Sequence, residues 1–130
     1  MGAVSYLLDS TVIIDYANGR PGGIRVVDDL FAQTSDLYTC DAIICEVLSG
    51  GDPERRIPII ALLDALEFVA LDPQGARWAG ERRAERSVGG SRRHLGDALV
   101  AAVAWRTGST IVTRNARDFE AYGVPILGYG

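Results

Sequence analysis

Residues 95–119 read LGDALVAAVAWRTGSTIVTRNARDF, and this stretch decides the fold. Its first half, 95–106, is an apolar, Ala-rich segment of about three helical turns, and Gly108 is placed to end it. Thr110-Ile111-Val112-Thr113 follows as a short β-branched strand. A short helix over 115–121 comes next, with Asn115 suited to cap it. A helix stopped by glycine and followed at once by a strand is the repeating unit of an α/β protein.

The rest of the chain repeats that alternation. Val4-Ser5-Tyr6-Leu7-Leu8 is apolar apart from Ser5, as a central parallel strand requires. Ser10 or Thr11 is positioned to cap a short helix carrying Val12, Ile13, Ile14 and Tyr16, which Asn18-Gly19 stops. Pro21-Gly22-Gly23 reads as a turn before a helix whose apolar face is Ile24, Val27, Leu30 and Phe31. Leu37-Tyr38-Thr39-Cys40 is a second strand, and Asp41 caps the helix that carries Glu46. Gly50-Gly51-Asp52-Pro53 ends that helix and begins another, to about Leu66. Residues 67–71 form a third strand closed by Asp72-Pro73; 74–87 form a charged helix, and Val124 to Leu127 adds an edge strand. The expected fold is a three-layer α/β/α arrangement around a central, mostly parallel sheet of four to five strands, in one domain over 1–130.

Composition narrows the function. Hydrophobic residues at 48% and charged residues at 23% match a soluble globular protein. No apolar run approaches the ~20 residues of a membrane span. No basic region precedes the first apolar stretch, so a signal peptide is not expected and a cytoplasmic location is. Cys40 and Cys45 fit neither a C-x-x-C redox motif nor a zinc pattern, and read as reduced residues packed near the second strand and its helix. A net charge of −4 argues against a general nucleic-acid coat, though not against a local basic surface. All 13 basic residues are Arg. Phosphoacceptor receiver domains, haloacid-dehalogenase-like phosphatases and P-loop nucleotide-binding proteins normally depend on a lysine, so none of them can operate here in its usual form.

Four carboxylates end or open the apolar segments: Asp9, Glu46, Asp97 and Asp118. Sites in open α/β sheets form beyond the carboxyl ends of strands, where Asp9 falls. As a helix cap Asp9 is redundant beside Ser10 and Thr11, which leaves its carboxylate available. Glu46 is surrounded by Ile43, Ile44, Val47 and Leu48, so it should point inward, at a cost unless it binds something. Asp97 is equally suited to complement the dipole of its helix, and Asp118, among Arg114, Arg117 and Glu120, to the surface. Carboxylates gathered at one point repel, and a compensating cation is the natural remedy. Oxygen-only ligands suit Mg²⁺ or Mn²⁺.

The tracts Gly96 to Ala102 and Gly108 to Phe119 closely resemble the carboxyl-terminal half of PIN-domain nucleases. Leu7-Leu8-Asp9-Ser10-Thr11-Val12 is similar to their first motif, and Glu46-Val47-Leu48-Ser49-Gly50 to their second. The resemblance spans the chain in order. It implies a ribonuclease of the VapC toxin type, with Asp9, Glu46, Asp97 and Asp118 as the metal-binding catalytic acids and Ser10, Thr113 and Asn115 as supporting polar residues. It further implies Mg²⁺-dependent RNA cleavage leaving 5′-phosphate and 3′-hydroxyl ends, a homodimer, and a VapB-type antitoxin. The fourth acidic position varies in the family, which makes Asp118 the least constrained. Arg86, Arg92 and Arg93 flank the Gly-rich stretch before Asp97 and are candidates for RNA phosphates, whereas Arg82, Arg83, Glu81 and Glu85 suit a salt-bridged, solvated helix face. His94, the one histidine, lies near Asp97; it suits an exposed helix start, with contact to substrate as the alternative. Ile13, Ile14, Tyr16 and Ile24 offer apolar surface for an antitoxin. The rival reading is a PIN-like module that binds RNA or antitoxin without cleaving.

Overall fold

The computed structural model describes residues 4–33, 36–50, 52–85 and 94–130. Five parallel strands form one sheet: β1 (Tyr6–Leu8), β2 (Leu37–Cys40), β3 (Glu67–Val69), β4 (Thr110–Thr113) and β5 (Ile126–Gly128), in the order β3-β2-β1-β4-β5. Among the described residues seven helices connect them: α1 (Ser10–Ala17), α2 (Pro21–Gln33), α3 (Asp41–Ser49), α4 (Pro53–Ala65), α5 (Pro73–Glu85), α6 (Leu95–Thr107) and α7 (Arg117–Glu120). Right-handed crossovers put α1–α4 on one face. The chain reverses direction after β3, so α5–α7 cover the other face, and the expected three layers result. Among the described residues no helix is long and apolar enough to cross a membrane.

β1 is the central strand, and Leu7 and Leu8 are fully buried between the helical layers, as are Ile111 and Val112 of β4. Burial on both faces explains why these strands are continuous apolar runs instead of alternating ones. The edge strand β3 exposes Phe68. On α6 the small residues Ala98, Ala101, Ala102 and Ala104 are buried almost completely. Gly108 adopts φ +69° after α6, a left-handed cap that a side chain would strain, and hands the chain directly to β4.

Several local expectations change in three dimensions. Pro21-Gly22-Gly23 is the first turn of α2, not a turn before it. Proline is suited to a first helical position. The glycines are there for proximity: a Cβ on Gly23 would lie 2.7 Å from Asp15 Cβ, and one on Gly22 3.0 Å from the Gly130 oxygen. Asp9, not Ser10 or Thr11, takes the cap position of α1, and its side chain makes no capping bond. Cys40 occupies the cap position of α3; Asp41 is that helix's first residue and accepts the Leu71 amide at 3.3 Å. Both cysteines are unpaired, but only Cys40 is packed inside, where burial pushes its thiol up to about 11; Cys45 is exposed.

Candidate active site

The site lies where the strand order switches. β1 and β4 are neighbours whose connections leave toward opposite edges of the sheet, so a crevice opens beyond their carboxyl ends. Asp9 leaves β1 at that point, and Thr113 is the last residue of β4. The Asp9 amide donates to the Val112 carbonyl at 3.0 Å. Thr113 Oγ1 donates to Asp9 Oδ2 at 2.9 Å, and Thr11 Oγ1 donates to the same oxygen at 3.2 Å. Each hydroxyl also accepts a backbone amide of the next loop, Thr11 from Arg114 at 3.1 Å and Thr113 from Asn115 at 3.0 Å. Asp9 is 6% exposed, and burial raises its pKa. Bonds from Thr113, the Ser10 backbone and Thr11 oppose that rise, and the charge of Glu46 adds to it.

Glu46 reaches the crevice from α3, where Ser10 Oγ donates to its Oε1. It does not point into the apolar interior as its neighbours suggest: Ile43 and Val47 are buried, while Cys45, Glu46 and Ser49 share the helix's open side. The inward burial inferred from sequence is therefore corrected to a place on the cleft wall. Gly96 makes this approach possible, since a Cβ there would stand 3.2 Å from Glu46 Oε2.

Asp97, in the first turn of α6, completes the group. Its pKa is pushed up to about 6, first by burial, then by the charges of Asp118 and Asp9; His94 opposes the rise and Glu46 adds to it. Asp118 is itself exposed, on α7. All four acids line one cavity of about 250 Å³ together with Ser10, Thr11, His94, Gly96 and Asn115. Thr113 is fully buried behind it and acts through its hydroxyl on Asp9. Arg86, Arg92 and Arg93 lie outside the described residues. Arg82 pairs with Glu85 at 2.8 Å, the solvated ion pair anticipated for α5.

Sequence reasoning missed two contributors. Thr11 was read as a cap, yet it joins Asp9 to the β4–α7 loop; its place two residues after Asp9 was the available signal. Gly96 looked like part of a motif, and only the fold shows the side chain it makes room for. Among the described residues no group of three or more acidic, His or Cys side chains stands ready-made as a metal cage.

The PIN domain family profile matches residues 6–125. A VapC ribonuclease of Mycobacterium bovis is 32% identical over 121 residues, 88% of each chain. The tRNA(fMet)-specific endonuclease VapC of Salmonella typhimurium is 28% identical, over 90% of this chain and 91% of that one. Among solved structures, DNA-bound VapBC from Salmonella typhimurium superposes with a TM-score of 0.79 at 25% identity, covering 97% of this chain and 98% of that one. The cleft at the strand switch, with its four acids, thus sits in a protein that belongs to the PIN domain family, among its VapC-type members.

Proposed function

We propose that this chain is a Mg²⁺-dependent endoribonuclease, the toxin of a VapBC-type pair, hydrolysing RNA phosphodiesters at Asp9, Glu46, Asp97 and Asp118. One observation carries the reading: four carboxylates from four separate elements face one small cavity, where burial first, and then the charges of its neighbours, push the Asp97 carboxyl up to about 6. Such a cluster is costly as it stands. The donors are oxygens only, which suits Mg²⁺ or Mn²⁺ and no softer metal. Asp9, Asp97, Glu46 and Asp118 would hold the ion. A bound divalent ion supplies Lewis-acid polarisation of a phosphoryl oxygen and a more acidic water.

The chain's own residues prepare that chemistry. Thr113 and Thr11 fix Asp9 through one carboxylate oxygen, and Ser10 fixes Glu46. Orientation of ligands by such supporting bonds is what makes a metal site tight. Asn115 lines the same cavity and would offer its side-chain amide to an RNA oxygen. His94, at the exposed start of α6, stands at the mouth and is not required as a base.

An antitoxin, cytoplasmic with its toxin, fits the adjoining surface. A hollow of about 200 Å³ between α1, α3 and α4 is lined by Ile14, Val47 and Ile59, with Glu46, Asp52 and Arg55 also on its wall. Of the apolar residues assigned to this role from sequence, Ile13 is fully buried and only Ile14 reaches the hollow. An apolar antitoxin segment seated there could extend a basic side chain to the acids. A VapB-type partner is supported by a Salmonella relative solved as VapBC, and a homodimer is part of the same proposal.

Cleavage of RNA by the purified chain, with Mg²⁺ or Mn²⁺ and with excess EDTA, tests the proposal. Cleavage should require the metal and disappear in Asp9→Asn. Undiminished cleavage in EDTA would refute the metal site, and binding of RNA without any cleavage would favour the non-catalytic module.

A further inference from the structure

A fifth carboxylate, outside the acidic cavity, is buried and heavily partnered. Asp15 lies on α1 one turn beyond Thr11, so the two side chains share a face of the helix. It is 3% exposed, and α2 seals it at the close approach of Gly23. A buried carboxylate requires compensation, and three groups provide it. The Tyr129 hydroxyl donates to Oδ2 at 2.8 Å; Arg114 Nη1 stands 3.3 Å and Arg20 Nε 3.5 Å from Oδ1. Burial and this bond hold the Tyr129 phenol well above its ordinary range.

Arg114 connects this cluster to the active site. It lies between Thr113, which donates to Asp9, and Asn115, which lines the acidic cavity. Its amide is bound by Thr11 at 3.1 Å and its guanidinium by Asp15, so α1 grips one residue at both ends from positions one turn apart. The next turn continues the chain of support: the Asp118 amide donates to the Asn115 carbonyl at 3.0 Å. We propose that Asp15 is a positioning residue which, through Arg114, fixes the β4–α7 loop and so sets where Asn115 and Asp118 stand relative to Asp9 and Asp97. Asp15 itself faces a separate hollow of about 360 Å³, with Arg20, Arg114 and Tyr129, and is not among the residues lining the acidic cavity. The inference rests on the nuclease reading of the acidic cavity, and part of its test is independent of that reading.

Asp15→Asn, Arg114→Gln, the double variant and Arg20→Gln are compared by three readouts. These are amide hydrogen exchange at residues 113–118 in metal-free protein, Mn²⁺ binding by calorimetry, and kcat and KM on RNA. Asp15→Asn and Arg114→Gln should each speed exchange in the loop. Each should also weaken Mn²⁺ binding and lower kcat about tenfold, the low end for partners that orient metal ligands, with KM within about twofold. The double variant should be no worse than the worse single one, because both act through one contact. Arg20→Gln, whose partner is longer-range and whose side chain is mostly solvated, should match the wild type throughout. A folded Asp15→Asn with wild-type exchange and Mn²⁺ affinity would overturn the proposal, as would multiplicative losses in the double variant. If Asp15→Asn fails to fold, Arg114→Gln decides by the same criteria. A wild-type chain that cleaves no RNA would remove the nuclease reading, while loop exchange would still judge the role of Asp15.

Discussion

Asp97→Asn should inactivate the protein and, without metal, stabilise it. In the folded chain the Asp97 carboxyl has a pKa of about 6 against 3.8 for an unperturbed one. The raised value means the native state holds this proton to higher pH than the unfolded chain does. The stability it contributes is full below about pH 4 and is lost as pH rises through about 6. At face value the shift is worth about 3 kcal/mol at neutral pH. The carboxyl is only partly buried, so solvent screening reduces this to about 1–2 kcal/mol. Asparagine removes that penalty, but it also removes a negative charge from the first turn of α6, worth about 0.5 kcal/mol at a helix N-terminus. Relief of the burial and repulsion of the charge is the larger effect. The net expectation at pH 7.5 in EDTA is a gain of about 1 kcal/mol, or a rise in Tm of roughly 3–5 °C for a domain of this size.

Thermal and urea melts of wild type and variant, at pH 5 and pH 7.5 in EDTA and then in Mg²⁺, measure this. The variant's advantage should shrink at pH 5, where Asp97 of the wild type is already largely protonated. In Mg²⁺ the order should reverse, because the ion stabilises the wild type by binding its native state. RNA cleavage and growth inhibition by the variant should vanish in all conditions. A variant less stable than wild type at pH 7.5 in EDTA, by the same amount as at pH 5, would refute the electrostatic account of the cluster.

Three further outcomes follow from the same contacts. Thr113→Val removes the buried donor to Asp9 and the acceptor of the Asn115 amide, and should cost about 1–3 kcal/mol in urea denaturation; a change within error would mean the hydroxyl is dispensable. Gly96→Ala places a Cβ at 3.2 Å from Glu46 Oε2. It should lower cleavage severalfold while helix propensity keeps stability level or up to about 1 kcal/mol higher, and an unaltered rate would show that Glu46 moves aside freely. Asp118→Asn, at an exposed site, should suppress growth inhibition less than Asp9→Asn or Asp97→Asn; if it proved the most damaging of the three, the ranking of ligands would be wrong.

Much of this protein was legible along the chain, because the signals concerned are local. Each strand is a short apolar run, and glycine at 108 or the Asp52-Pro53 pair punctuates the helices through backbone preferences that need no tertiary partner. Asp9, at the end of the first strand, could be singled out because α/β topology carries strand ends to one edge, whereas Asp97, at the start of α6, stood out only through the family resemblance of the tract around it. Orientation was another matter. Glu46 was placed inside by its apolar neighbours, yet a helix crossing the strand ends has an open side that composition cannot reveal. Pro21-Gly22-Gly23 has the composition of a turn, and becomes helical because glycine lets α2 pass against Asp15 and Gly130.

Tertiary structure alone decided the partnerships. Thr113 is 104 residues from Asp9, Tyr129 is 114 from Asp15, and Arg114 is 103 from Thr11, so periodicity, which spans a few residues, contains nothing about them. Asp15 in particular looks like an ordinary polar residue of a short helix. It becomes a buried, compensated charge only when α2 closes over it and the far end of the chain brings Arg114 and Tyr129. Residue chemistry along the sequence determined which groups were available to make a site. Packing of distant segments determined which of them meet, because desolvation and repulsion act across space and not along the chain.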